Sequence, residues 1–147
     1  PHIRVDRGMT SRVFANLLNN AVKFTPERGK VMVHLARQPN QLVITIADSG
    51  PGVPVHERER IFEKFAQIKG AERRGAGLGL TFCRMVTEAH GGSLTVSESE
   101  LGGALFCLTL PFTEEEANIL TEISLPISFD WALDSASASA HHSPNPN

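Results

Sequence analysis

Asn16, Asn20 and Lys23 are spaced so that a helix would carry all three on one side. At about 100° per residue, with Asn16 at zero, Asn20 falls near about 40° and Lys23 near about −20°, whereas Phe14, Leu17, Leu18, Ala21 and Phe24 fill roughly 80° to 200°. One side is core and the other gathers two amides and an ammonium. A solvated polar face is the plain alternative, but such faces usually carry Glu, Lys or Gln, and asparagine is a mediocre helix former. Two asparagines one turn apart point instead to ligation. Their carbonyl oxygens are neutral hard donors suited to Mg²⁺, which keeps several waters and takes its other ligands from phosphates. Lys23 would then meet phosphate as a point charge.

Two glycine-rich segments add to this chemistry. Asp48-Ser49-Gly50-Pro51-Gly52 follows an apolar run and reads either as a surface turn or as a binding loop. A carboxylate fixed at a strand end accepts a hydrogen bond from an exocyclic amine such as that of adenine, and neighbouring glycines let a base approach the backbone. Gly75-Ala76-Gly77-Leu78-Gly79-Leu80 opens a helical stretch whose N–H groups and dipole suit an anion. No Gly-Lys-Ser/Thr follows, so it is not a P-loop. The third glycine of a dinucleotide fingerprint would fall on Leu80, so it is not that either.

The elements that must position these residues follow from pattern. His2 to Val5 reads as a short strand. Thr10 or Ser11 caps a helix through Arg12 to Phe24, stopped by Thr25-Pro26. Lys30 to Ala36 and Gln41 to Ala47 read as strands joined across Gln38-Pro39-Asn40; Leu78 to His90 is helical and closes at Gly91-Gly92; Ser93 to Ser97 and Ala104 to Leu110 are two more strands. This order predicts helices packed on one face of a mixed sheet. Ile123 to Trp131 alternates apolar and polar residues, a strand that Pro126 confines to an edge. Residues 135–147 are low in complexity and read as a disordered tail.

Composition sets bounds. The chain has 147 residues, 41% of them hydrophobic, enough for one core. Its net charge of −2, with acidic and basic residues interspersed, disfavours nucleic acid as a partner. Cys83 and Cys107 match no metal spacing and sit in apolar segments, as buried thiols do. No apolar run reaches the roughly 18 residues of a membrane span, so direct membrane contact is not expected and a cytoplasmic setting is, whether or not the parent chain is membrane-anchored.

The asparagine helix, the Asp-x-Gly-x-Gly loop, the island Ile61-Phe62-Glu63-Lys64-Phe65 and the Gly-x-Gly-Leu-Gly helix start resemble, in order and spacing, the four boxes of histidine-kinase catalytic domains. The resemblance runs from about Asp6 to Pro111. It implies an α+β fold, the two-layer sandwich of the Bergerat type shared with type II topoisomerase, mismatch-repair and chaperone ATPases. In that fold a mixed, mostly antiparallel sheet is covered on one face by helices. Together with the change in composition after Pro111, the resemblance divides the chain into an expected ATP-binding domain over residues 1–112, an extension with a possible edge strand over 113–134 and a disordered tail over 135–147.

By motif position, Asn20 would ligate Mg²⁺, and Asn16 and Lys23 would line the phosphate side. Asp48 would take the adenine amino group, with Gly50 and Gly52 shaping the pocket. Phe62 and Phe65 would anchor a lid that Gly75, Gly77, Leu78 and Gly79 close over the phosphates of ATP. The implied activity is transfer of the γ-phosphate to a histidine on a separate dimerisation domain of the parent chain, and through that histidine to the receiver domain of a response regulator. Relatives that hydrolyse ATP carry glutamate where Asn16 stands, which argues for slow intrinsic hydrolysis and against an ATPase clamp. Arg74-Gly75-Ala76 replaces the family's usual Gly-Gly-Thr, and this departure motivates an alternative reading as a nucleotide-sensing or interaction module without phosphotransfer. His56-Glu57 is the only string like an acceptor motif and reads as a loop histidine.

Overall fold

A computed structural model describes residues 6–66, 79–112 and 127–132. The expected strand at His2 to Val5, the residues Arg73, Arg74, Gly75, Ala76, Gly77 and Leu78, and the tail 135–147 lie outside the described residues.

The first helix, α1, spans Arg7–Phe24, one turn longer at its start than the apolar pattern indicated. Its cap is Asp6, not Thr10 or Ser11: the Asp6 carboxylate accepts the Met9 N–H at 3.1 Å. At the other end Thr25 is extended, as a residue before proline should be, and its N–H and hydroxyl both reach the Ala21 carbonyl, at 3.0 and 2.6 Å. The second helix, α2, spans Gly79–Ala89. It ends in a Schellman closure: Gly92 N–H meets the Thr87 carbonyl at 3.0 Å, and Gly91 N–H meets that of Glu88 at 2.9 Å. His90 joins the two helices. Its Nδ1 lies 2.7 Å from the Val86 carbonyl and its Nε2 accepts the Asp6 N–H at 3.2 Å, so the proton sits on Nδ1.

Among the described residues five strands follow in chain order, β1 (Lys30–Gln38), β2 (Gln41–Asp48), β3 (Ser93–Glu98), β4 (Ala104–Pro111) and β5 (Ile127–Ala132). They form one sheet in the order β3-β4-β2-β1-β5, and every pairing is antiparallel. The mostly antiparallel sheet expected is therefore wholly antiparallel among the described residues. β4 shows the plainest alternation, with Ala104, Phe106, Leu108 and Leu110 buried and the residues between them only partly so. Register stacks Val33, Ile46, Phe106 and Val96 across four strands into one core row.

Both helices lie on that face. Val13, Leu17 and Ala21 of α1 join Cys83 and Val86 of α2 and the inward strand residues in a single cluster. Arg12 of α1 also places its guanidinium 4.5 Å from the centre of the Phe82 ring on α2. The result is the α+β two-layer sandwich. No helix among the described residues is long and apolar enough to cross a membrane.

Candidate functional site

Asp48 ends β2, and at 3% exposure it is the one charged residue buried among the described residues. One carboxylate oxygen, Oδ1, accepts the Gly50 N–H at 2.9 Å and the Ala104 N–H at 3.1 Å. Its other oxygen receives no hydrogen bond from the described residues. Oδ2 is not among the buried unpartnered side-chain atoms of the described residues, so it stays accessible and open to a donor brought by a ligand.

The backbone of Asp48 is held as firmly as its side chain. Its carbonyl accepts the Gly103 N–H at 3.1 Å and the Ser99 hydroxyl at 2.9 Å. Ser99 is itself buried, and its Oγ also accepts the Leu101 N–H at 2.9 Å, which shapes the loop between β3 and β4. Gly103 fits only because it has no side chain. A Cβ there would lie 2.2 Å from Asp48 Oδ1 and 2.6 Å from Gly50 N. Gly52 is required for another reason, its φ of 73°, and it lies against the Gly103 carbonyl. Ser99, Gly103 and Ala104 therefore build the Asp48 site although none stood out in the sequence.

α1 flanks this loop. Gly50 packs so closely on the last turn of α1 that an added Cβ would stand 2.7 Å from the Phe24 carbonyl. Lys23, one residue earlier, is exposed and holds its ammonium 5.2 Å from the Phe24 ring centre. At the far end of the polar stripe Asn16 is half-buried, facing the start of α2 at Gly79, and Asn20 is half-buried between these ends. The stripe Asn16, Asn20 and Lys23 thus runs about 10 Å along α1, from the beginning of α2 to the Asp48 loop. The structure brings Asn16 to Gly79, and Asp48 to Gly50 and Gly52. Gly75, Gly77 and Leu78, expected on the phosphate side, lie outside the described residues.

Asn16 has a second neighbour. Burial pushes the Cys83 thiol up to about 11, against a smaller opposing effect of hydrogen bonding from Asn16. Cys83 is fully buried, with its sulfur 3.6 Å from the Val13 carbonyl. It is a structural thiol that sets the spacing of α1 and α2, as its apolar surroundings suggested.

The Ile61 to Phe65 island divides. Phe62, in a short 3-10 turn at Arg60–Phe62, is buried and meets Phe106 edge-on at 6.5 Å between ring centres. Arg84 of α2 covers the Phe62 ring at 4.6 Å while pairing with Glu59 at 2.8 Å and with Glu88 at 3.2 Å. Phe65 is different. It has a φ of 60° and is 70% exposed, so the two phenylalanines expected to anchor together are separated by a left-handed turn.

A fixed carboxylate at a strand end, glycine-padded backbone and a polar helix stripe leading to another helix start are thus gathered along one side of α1. The family of histidine kinase-, DNA gyrase B-, and HSP90-like ATPases matches residues 6–114. The sensor histidine kinase TmoS of Ectopseudomonas mendocina is 43% identical over 122 residues, covering 79% of this chain. The solved mycobacterial sensor histidine kinase MprB is 34% identical, with a TM-score of 0.66 over 72% of each chain. Full-length ShkA, solved in complex with AMPPNP, is 37% identical, with a TM-score of 0.64 over 74% of this chain and 22% of that one. The chain belongs to this ATPase family, and within it to the catalytic ATP-binding domains of sensor histidine kinases. It spans only 12% of the length of TmoS.

Proposed function

We propose that this chain binds Mg-ATP and transfers the γ-phosphate to a histidine on a separate dimerisation and phosphoacceptor domain, as part of two-component signalling through a response regulator. The observation that carries the reading is the buried Asp48, with Oδ1 fixed by two backbone N–H groups and Oδ2 left to accept. An adenine amino group supplies that donor; the keto oxygen of guanine does not. Gly50 and Gly52 keep side chains out of the path of the base.

Asn20 presents the amide oxygen that would hold Mg²⁺, and Asn16 and Lys23 line the phosphates beside it. When bound, the ion neutralises charge on the phosphate oxygens. The chain's own contribution is positioning. The stripe on α1 and the helix start at Gly79 hold the triphosphate so that an incoming imidazole nitrogen lies in line with the bond to be broken. A nitrogen–phosphorus bond forms, the bond from the γ-phosphorus to the bridging oxygen breaks, and ADP leaves with that oxygen. The imidazole proton passes to a base on the acceptor domain. Asn16 cannot deprotonate water, which favours transfer over hydrolysis. Phe62 seats the segment that leads into the lid, and Gly75, Gly77, Leu78 and Gly79 allow closure over the phosphates. ATP as donor places the domain in the cytoplasm.

The test is incubation with γ-labelled ATP and a separately supplied helical-hairpin acceptor. Acid-labile label should appear on the acceptor histidine, and Asp48→Asn should reduce it. Nucleotide binding with no transfer to any supplied acceptor hairpin would leave the non-catalytic module as the better reading.

A further inference from the structure

Arg12 is held differently from the other arginines near α2. Arg84 pairs with Glu59 and Glu88, and Arg60 pairs with Glu57. Arg12 is exposed and meets no carboxylate among the described residues; its contact is the Phe82 ring, whose centre lies 4.5 Å from the guanidinium carbon. A ring restrains a guanidinium without neutralising it, and no oxygen among the described residues takes up the Arg12 N–H donors. What results is a positive charge fixed in place with its hydrogen-bonding capacity open to an anion.

Its place on α1 says which anion. Arg12 stands one turn before Asn16, at about −40° on the projection that puts Asn16 at zero, so it continues the stripe of Asn16, Asn20 and Lys23. Phe82 lies in the first turn of α2, and so does Gly79, the residue that Asn16 faces. Two successive turns of α1 therefore meet the start of α2, where backbone N–H groups and the helix dipole favour negative charge. On the nucleotide reading, the base sits at the opposite end of the stripe, at Asp48 beside Phe24. Arg12 is about 18 Å from Phe24 along the helix axis at 1.5 Å per residue, farther from the base than any other member of the stripe. We propose that Arg12 is a further phosphate-contacting residue, which binds the terminal phosphate of a nucleoside triphosphate and contributes nothing to binding of the diphosphate. The proposal rests on the nucleotide reading and adds to it how the chain tells substrate from product. The γ-phosphate carries three terminal oxygens that a guanidinium fork can grip in pairs, and once that group is transferred the contact has no partner left in ADP.

Calorimetric titration of the full chain with AMPPNP and with ADP, each in the presence of Mg²⁺, tests it. Arg12→Met keeps an unbranched stem to pack on Phe82 and removes the charge, so thermal unfolding should move by no more than a few degrees. The variant should lose about tenfold in affinity for AMPPNP and less than about twofold for ADP. Arg12→Lys restores a point charge without the planar fork and should recover only part of the AMPPNP affinity. Equal losses for the two nucleotides, or no loss for either, would overturn the proposal while leaving nucleotide binding intact. So would unchanged affinities with slower transfer to a supplied acceptor hairpin, which would assign Arg12 to the acceptor domain instead. A wild-type chain that binds neither nucleotide would sink the nucleotide reading itself, and this proposal with it.

Discussion

Replacing Asp48 by asparagine separates recognition from folding. The substitution keeps an oxygen for the Gly50 and Ala104 N–H groups that Oδ1 now serves, and it exchanges the open Oδ2 for an NH₂ donor. A donor facing an adenine amino group loses a charge-assisted bond worth about 1.5–3 kcal/mol, so affinity for an ATP analogue should fall about 10- to 100-fold. The same NH₂ suits the keto oxygen of guanine, so a GTP analogue should bind no worse than before. Asp48→Ala makes the contrasting case. It strands two N–H groups at about 1–3 kcal/mol each and should cost about 2–6 kcal/mol of a total stability of roughly 5–15 kcal/mol. Calorimetric titration with both analogues, beside thermal unfolding of each variant, reads both effects. An Asp48→Asn chain that is folded and binds the ATP analogue as tightly as the wild type would refute this reasoning.

Gly103→Ala should damage the same site from the other side, because its Cβ would stand 2.2 Å from Asp48 Oδ1; a loss of about 1–3 kcal/mol in urea unfolding, with weaker nucleotide binding, is expected. Cys83 gives a pH signature. Its folded value of about 11 lies above the ordinary 9.0, so the unfolded chain loses the thiol proton first and stability falls as pH rises from about 9 to about 11. The drop should be about 2–3 kcal/mol, and Cys83→Ala, though less stable at neutral pH, should show a flatter profile across that window. Arg84→Ala removes two solvent-facing ion pairs and the cover of the Phe62 ring, for a combined cost of about 1–2 kcal/mol, most of it from the ring contact and little changed by salt. Thermal unfolding at low and high ionic strength checks the split.

The strands on either side of the Gln38 to Asn40 turn and the hairpin of β3 and β4 were legible because their alternation is local. So was the closure of α2, since Gly91-Gly92 carries its own geometry. The start of α1 was not. Thr10, Ser11 and Asp6 are all good caps, and the contact that favours Asp6 is a hydrogen bond from its N–H to His90, 84 residues away. Spacing likewise singled out Asp48 as a candidate but not what holds it, because Ser99, Gly103 and Ala104 reach it only through pairing of distant strands. Phe62 and Phe65 looked equivalent in sequence, and only the left-handed turn at Phe65 tells them apart.

The long reach of the bonds on Asp48 also sets a time order. Its side chain meets Ala104 and its carbonyl meets Ser99, contacts that span 56 and 51 residues. Closing loops of that size comes after local helices and turns have formed. During synthesis, the polar stripe on α1 and the Asp48 loop leave the ribosome well before the hairpin that orients the carboxylate. A nascent chain halted short of Ala104 has the residues for nucleotide binding without the arrangement, so nucleotide capture by a stalled chain would mark the moment when β4 joins the sheet.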